Sequence, residues 1–178
     1  MQESELKYYE RIGNWDFSQI KCKTENLTNW DFYEKIRENS DEKSLCLDLG
    51  TGGGEKVLKS YPDVGMVIAT DFSEEMIKTA KENAKKYADK KVKFTKMNNL
   101  EMNFPKETFD LISARHTIIN AKQIYDCLVP GGTIVISGEE FEHRTIVERD
   151  LFNKYVKRYK TEKGILLKRV LYGIVAKK

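Results

Sequence analysis

The chain has 178 residues, 40% hydrophobic and 33% charged, with a formal net charge of +3. That length fits one domain burying roughly 70% of its unfolded surface, and no run approaches the ~20 apolar residues needed to span a bilayer. Cys22, Cys46 and Cys127 are far apart and lack C-x-x-C spacing, which argues against a disulfide framework or a zinc site, and the charged N-terminus without a leader-like apolar core points to the cytosol.

Residues 1–41 form a segment ahead of the core with an internal echo. Asn14, Trp15, Asp16 and Phe17 recur as Asn29, Trp30, Asp31 and Phe32. The second copy opens an amphipathic helix capped by Thr28 or Asn29, with Phe32 and Ile36 on one face and Trp30 docking it on the core. Trp15 and Phe17 are readable either as a lid over a binding site or as simple packing.

Leu45, Cys46, Leu47 and Leu49 read as a strand buried on both faces. Asp48 sits at its end, followed by the glycine cluster Gly50, Thr51, Gly52, Gly53 and Gly54 as a turn into a helix of roughly 55–61. Glycines there let the backbone approach a ligand closely, and the helix start favours a carboxylate or phosphate. The dinucleotide spacing G-x-G-x-x-G fails, because Glu55 stands where the third glycine belongs. Asp48, two residues before Gly50, instead suits a ligand carrying an ammonium group beside its carboxylate. An amino acid headgroup has both.

These residues resemble motif I of the class I S-adenosylmethionine (SAM)-dependent methyltransferases, D/E-x-G-x-G-x-G, matched by Asp48, Gly50, Gly52 and Gly54. Further landmarks follow in the family's order. A second apolar strand, 66–70, ends in Asp71 about 20 residues past the turn, where an acid can accept two ribose hydroxyls. Ser73 reads as the cap of a helix reaching to about Tyr87, with Glu74 and Glu75 in its first turn. The resemblance implies that Phe72 packs on adenine and that Met76 lies against the cofactor, although an aromatic and a Met at such positions also read as core.

The stretch 92–113 resembles the family's third strand, G-D-A-x-x-L-P-F loop and F-D-L-V strand. Met97 replaces the family glycine and Asn98 its adenine-binding acid, with Asn99 next. Asn98 retains an acceptor without the charge, and it also reads as a turn residue. Val129, Pro130, Gly131 and Gly132 resemble the turn between the fourth helix and fifth strand.

The fold implied is α/β and Rossmann-like: a seven-stranded, mostly parallel sheet of order 3-2-1-4-5-7-6, strand 7 antiparallel, with helices on both faces. Residues 42–138 would be the SAM-binding core of a single domain, 1–178. A helical stripe at Val147, Leu151, Tyr155 and Tyr159, then closing strands, would complete it over 139–178.

The cofactor implied is SAM, held by Asp48, Gly50, Thr51, Gly52, Asp71, Phe72, Met76, Asn98, Asn99 and Arg115, with no metal. Class I enzymes place the acceptor at the carboxyl ends of the first and fourth strands. Here His116 is a candidate base, its ordinary pKa lying near 6.5, or else a side chain bonding the loop; His143 reads as solvated. From Arg144 onward eleven basic residues face three acids, leaving −5 on the first 143. A small-molecule acceptor leads, RNA is the runner-up, and a SAM-binding module without transfer stays open, as does a homodimer. No membrane association is expected.

Overall fold

The computed structural model describes residues 28–139, 160–161, 164–165 and 171–178. Trp15, Phe17, Cys22, His143 and the 147–159 stripe lie outside them. Helix α1 spans Phe32–Glu38 and is capped by Asp31, whose side chain accepts from Glu34 N. This corrects the expected cap at Thr28 or Asn29: Asp31 is the residue in extended backbone with its acceptor three positions before the amide. Phe32 and Ile36 are buried, one helical turn apart, and Trp30 is packed against the same cluster.

Strand β1 is Leu45–Leu49, α2 is Glu55–Ser60, β2 is Met66–Asp71 and α3 is Glu74–Ala84. Ser73 caps α3, accepting from Met76 N, and α3 ends three residues short of Tyr87. Strands β3, β4 and β5 are Val92–Lys96, Phe109–Arg115 and Leu128–Glu139, with α4, Ala121–Cys127, between the last two. Short strands β6, Lys160–Thr161, and β7, Gly164–Ile165, pair antiparallel with each other, and β8 is Leu171–Lys177.

The main sheet runs β3-β2-β1-β4-β5-β8. The β1–β2, β1–β4, β2–β3 and β4–β5 pairs are parallel. Lys178, just past β8, bonds Gly131 and Gly132 near the start of β5, so the last strand runs against the others. Six strands of the expected order are thus in place among the described residues, and the seventh is not among them. The expected turn at Val129–Gly132 is absorbed into β5 as a register break. Leu128 pairs with Phe109 and Thr133 with Leu111, so the turn residues loop out of the ladder, with Gly131 at φ 82.

Alternation along the strands builds two cores. Cys46, Val67, Leu111 and Val135 meet α1, α2 and α3 on one face, while Leu47, Leu49, Ile112 and Ala114 meet α4 on the other. Each fully buried Leu or Ile contributes about 1.5–3 kcal/mol. Contacts divide the chain into two units, the sheet core with Gly173–Lys178, and Gly138–Tyr172. The main helices described all belong to the first.

Candidate functional site

The strand order reverses direction between β1 and β4, with β2 and β3 on one side and β5 on the other. In open parallel sheets the crevice outside the carboxyl ends at such a reversal is where ligands bind. Asp48 and the glycine turn follow from β1, Asp71 ends β2, and Arg115, His116 and Thr117 follow from β4. Most of the site residues read from the sequence therefore converge on one edge.

The turn has three glycines in the left-handed region, Gly50 at φ 72, Gly52 at 60 and Gly54 at 76. A Cβ on Gly50 would stand 2.6 Å from Thr117 Cβ, so only glycine admits the β4 loop this close. Thr117 Oγ1 accepts from Asn99 Nδ2 at 3.0 Å, which ties the loops after β3 and β4 together over the turn. Asn83 Nδ2 donates to Gly53 O at 2.9 Å from α3. The turn is held from three elements.

Asp71 accepts Gly52 N on Oδ2 and Ser73 N on Oδ1, each at 2.9 Å. Each oxygen retains lone-pair capacity for a hydroxyl donor. Burial pushes its pKa up, and the backbone bonds from Ser73, Gly52 and Phe72 oppose that rise. Phe72 is half-buried beside it.

Asp48 is 6% exposed, and its Oδ1 accepts from Ser113 Oγ at 2.7 Å. Burial raises its pKa to about 6, while the Ser113 bond and the Arg115 charge pull downward. The Arg115 guanidinium lies 5.8 Å over the Tyr33 ring from α1. An acid and a base are thus presented on the same face of neighbouring strands, Asp48 in register with Ser113 and Arg115 two residues on.

Asn99 Oδ1 is buried with no hydrogen-bond partner among the described residues, and the Thr51 hydroxyl faces the Asp48 carboxylate, whose pKa it helps to lower. Buried polar groups cost free energy unless paired, so Asn99 Oδ1 suits a polar ligand at the turn. Asn98 Oδ1 accepts from Leu100 N at 3.0 Å. That bond shapes the loop.

Met76, expected against the cofactor, is only 1% exposed. His116 is exposed, at φ 53, with its N–H bonded to Ser137 O at 2.9 Å. Non-glycine residues in this region are uncommon and are held by their surroundings.

Ser113, Tyr61 and Thr117 were missed from sequence. Ser113 left one signal, a polar residue in the apolar run FDLISA two before Arg115; Tyr61 left none. A cavity of about 630 Å³ lined by Tyr33, Arg37, Lys59, Tyr61 and Asp63 lies apart from the turn, with neither Asp48 nor Asp71 in its wall. No group of three metal-binding side chains occurs among the described residues, and no described helix is long and apolar enough to cross a membrane.

Residues 40–169 match a family described as a methyltransferase domain. The chain is 32% identical over 122 residues to a demethylmenaquinone methyltransferase of Lactococcus lactis, covering 62% of this chain and 48% of that protein. It is 30% identical to phosphoethanolamine N-methyltransferase 1 of Arabidopsis thaliana, over 76% of this chain and 28% of the other. With ribosomal protein L11 methyltransferase of Listeria innocua it shares 29% identity, over 60% and 36%. The chain therefore spans half or less of these relatives. A SAM-dependent methyltransferase structure from Methanosarcina mazei superimposes with TM-score 0.52 at 21% identity, covering 72% of this chain and 66% of that one.

Proposed function

The chain belongs to the methyltransferase domain family, whose cofactor is SAM, and from that premise we propose that it transfers the SAM methyl group to a small organic acceptor. The observation that carries this reading is the convergence of Asp48, the left-handed glycine turn, Asp71 and the unpartnered Asn99 Oδ1 on one sheet edge.

The residues fit the cofactor. Asp48 offers a carboxylate to its ammonium, Arg115 a cation to its carboxylate, Asp71 two acceptor oxygens to its ribose hydroxyls, and the glycines the close backbone approach. Asn99 and Thr51 would supply acceptors at the turn, with Phe72 against the base; residues 42–138 would hold all of these. When bound, SAM supplies a methyl on a positively charged sulfur, already activated for transfer. The protein's task is then chiefly orientation, which supplies much of a bimolecular barrier.

His116 stands where the β4 loop meets the acceptor side and would take the acceptor's proton, a role contributing typically 10²- to 10⁴-fold. For His116→Ala we expect turnover to fall by about 10² or more with SAM affinity unchanged; near wild-type turnover rejects the base.

Two of the relatives above are named for small organic acceptors, which supports that class, and one for a protein. RNA is the second reading, favoured by the eleven basic residues against three acids from Arg144 onward, since basic surfaces attract polyanions. Incubation with methyl-labelled SAM and host lysate, with and without ribonuclease or protease, separates them. Label in small organic compounds is the expected result. Label lost with ribonuclease would establish RNA, and no label anywhere would leave a SAM-binding module.

A further inference from the structure

Behind Asp48 runs a buried chain of hydroxyls that the reading above does not use. Tyr61 Oη lies 3.1 Å from Ser113 Oγ, and Ser113 Oγ lies 2.7 Å from Asp48 Oδ1. Tyr61 is 3% exposed and Ser113 0%. The Ser113 hydroxyl has one proton. Its other acceptor, Leu47 O, is at 3.4 Å, so the short bond to the carboxylate takes the proton and leaves the Ser113 oxygen to accept from Tyr61, whose hydroxyl also reaches the Cys46 thiol.

The three residues come from different elements, β1, β4 and the residue after α2, and meet on the face that carries α1 and α2. A hydroxyl polarised by a second donor is a stronger donor itself. Such a relay fixes one oxygen of Asp48, beside the Thr51 hydroxyl that also faces the carboxylate.

We propose that Ser113, backed by Tyr61, is a positioning residue that orients the Asp48 carboxylate and favours its ionised form for an ammonium-bearing ligand. The proposal rests on the reading that Asp48 holds the cofactor's ammonium. Other groups face this carboxylate: the Arg115 cation on β4, the Asp71 carboxylate on β2, the Tyr33 hydroxyl on α1 and the Cys46 thiol on β1. Burial pushes the Cys46 thiol up to about 12 and Tyr33 higher still, so neither hydrogen is lost near neutral pH. Asp48 titrates within pH 5 to 8, its pKa standing at about 6, and burial raises the neighbouring Asp71 as well.

The test has two readouts on the full chain. Carbon-13 NMR of the Asp48 carboxyl follows its titration without cofactor, and calorimetry measures SAM affinity from pH 5.5 to 8.5. Ser113→Ala is expected to move the NMR midpoint up by about one to two pH units, because a hydrogen bond to a charged group is lost. It should weaken SAM binding about tenfold at pH 6.5 but by no more than about twofold at pH 8.5. Tyr61→Phe is expected to shift both in the same direction by less, and Ser113→Thr to restore the wild-type midpoint. A purely structural Ser113 would weaken binding equally at every pH, and that result, or superimposable NMR curves, overturns the proposal alone. Wild-type protein that binds no SAM at any pH would remove the underlying reading, and the proposal with it.

Discussion

At the scale of single residues, Asp48 is held against its own stability. Its pKa rises from the ordinary 3.8 to about 6 because burial penalises the charge more than Ser113 and Arg115 repay it. Between those two pH values the folded chain keeps a proton that the unfolded chain has lost, so this carboxyl lowers stability as pH climbs through the window, and the deficit persists above it. Asp48→Asn removes the charge while keeping an acceptor for Ser113. We expect it to raise stability by up to about 3 kcal/mol at pH 7.5 and not at pH 4, with SAM affinity falling at least tenfold, measured by denaturant unfolding and calorimetry. Equal stability at both pH values would mean that Asp48 carries no such penalty. Asp71, also raised by burial, has the backbone donors of Ser73, Gly52 and Phe72 to share its load. Both acids were legible from their positions at strand ends, but the direction of their pKa shifts was not, because it depends on what covers them.

At the scale of elements, the glycine turn and the caps follow local rules. Gly50→Ala is expected to cost about 1–2 kcal/mol for the left-handed backbone alone, and more from the approach of Thr117 at 2.6 Å. Pairing it with Thr117→Gly, which removes the Cβ as well as the branch atoms, should recover only the steric share, so the double variant unfolds at a denaturant midpoint between the single variant and the wild type. Full recovery would show that backbone conformation is unimportant there. Ser73→Ala, which removes the α3 cap, should cost about 1 kcal/mol. The cap of α3 was read correctly and that of α1 was not. Thr28, Asn29 and Asp31 are all good capping residues, so propensity could not choose among them. The register break at Val129–Gly132 was equally hidden. Its motif announced a turn, but only pairing with β4 shows that β5 begins before it.

At the scale of the whole molecule, a ligand that binds the folded chain alone stabilises it by mass action, about 2.7 kcal/mol at 100 times Kd. For a chain of this size that is a rise in Tm of roughly 5–10 °C. SAM should produce it and NAD should not, as read by scanning calorimetry; equal shifts for both would undo the reading built on the failed dinucleotide spacing. What the chain's own order of residues determined is the α/β class, the parallel core and most of the candidate edge, because apolar runs alternating with helical segments, glycines and strand-end acids are local signals. Tertiary structure alone decided that Ser113 and Tyr61, 65 and 13 residues from Asp48, stand behind its carboxylate, and that Thr117 closes on Gly50. It also buried Met76. Those outcomes depend on which strands become neighbours and how closely their loops pack, and no local periodicity encodes that distance.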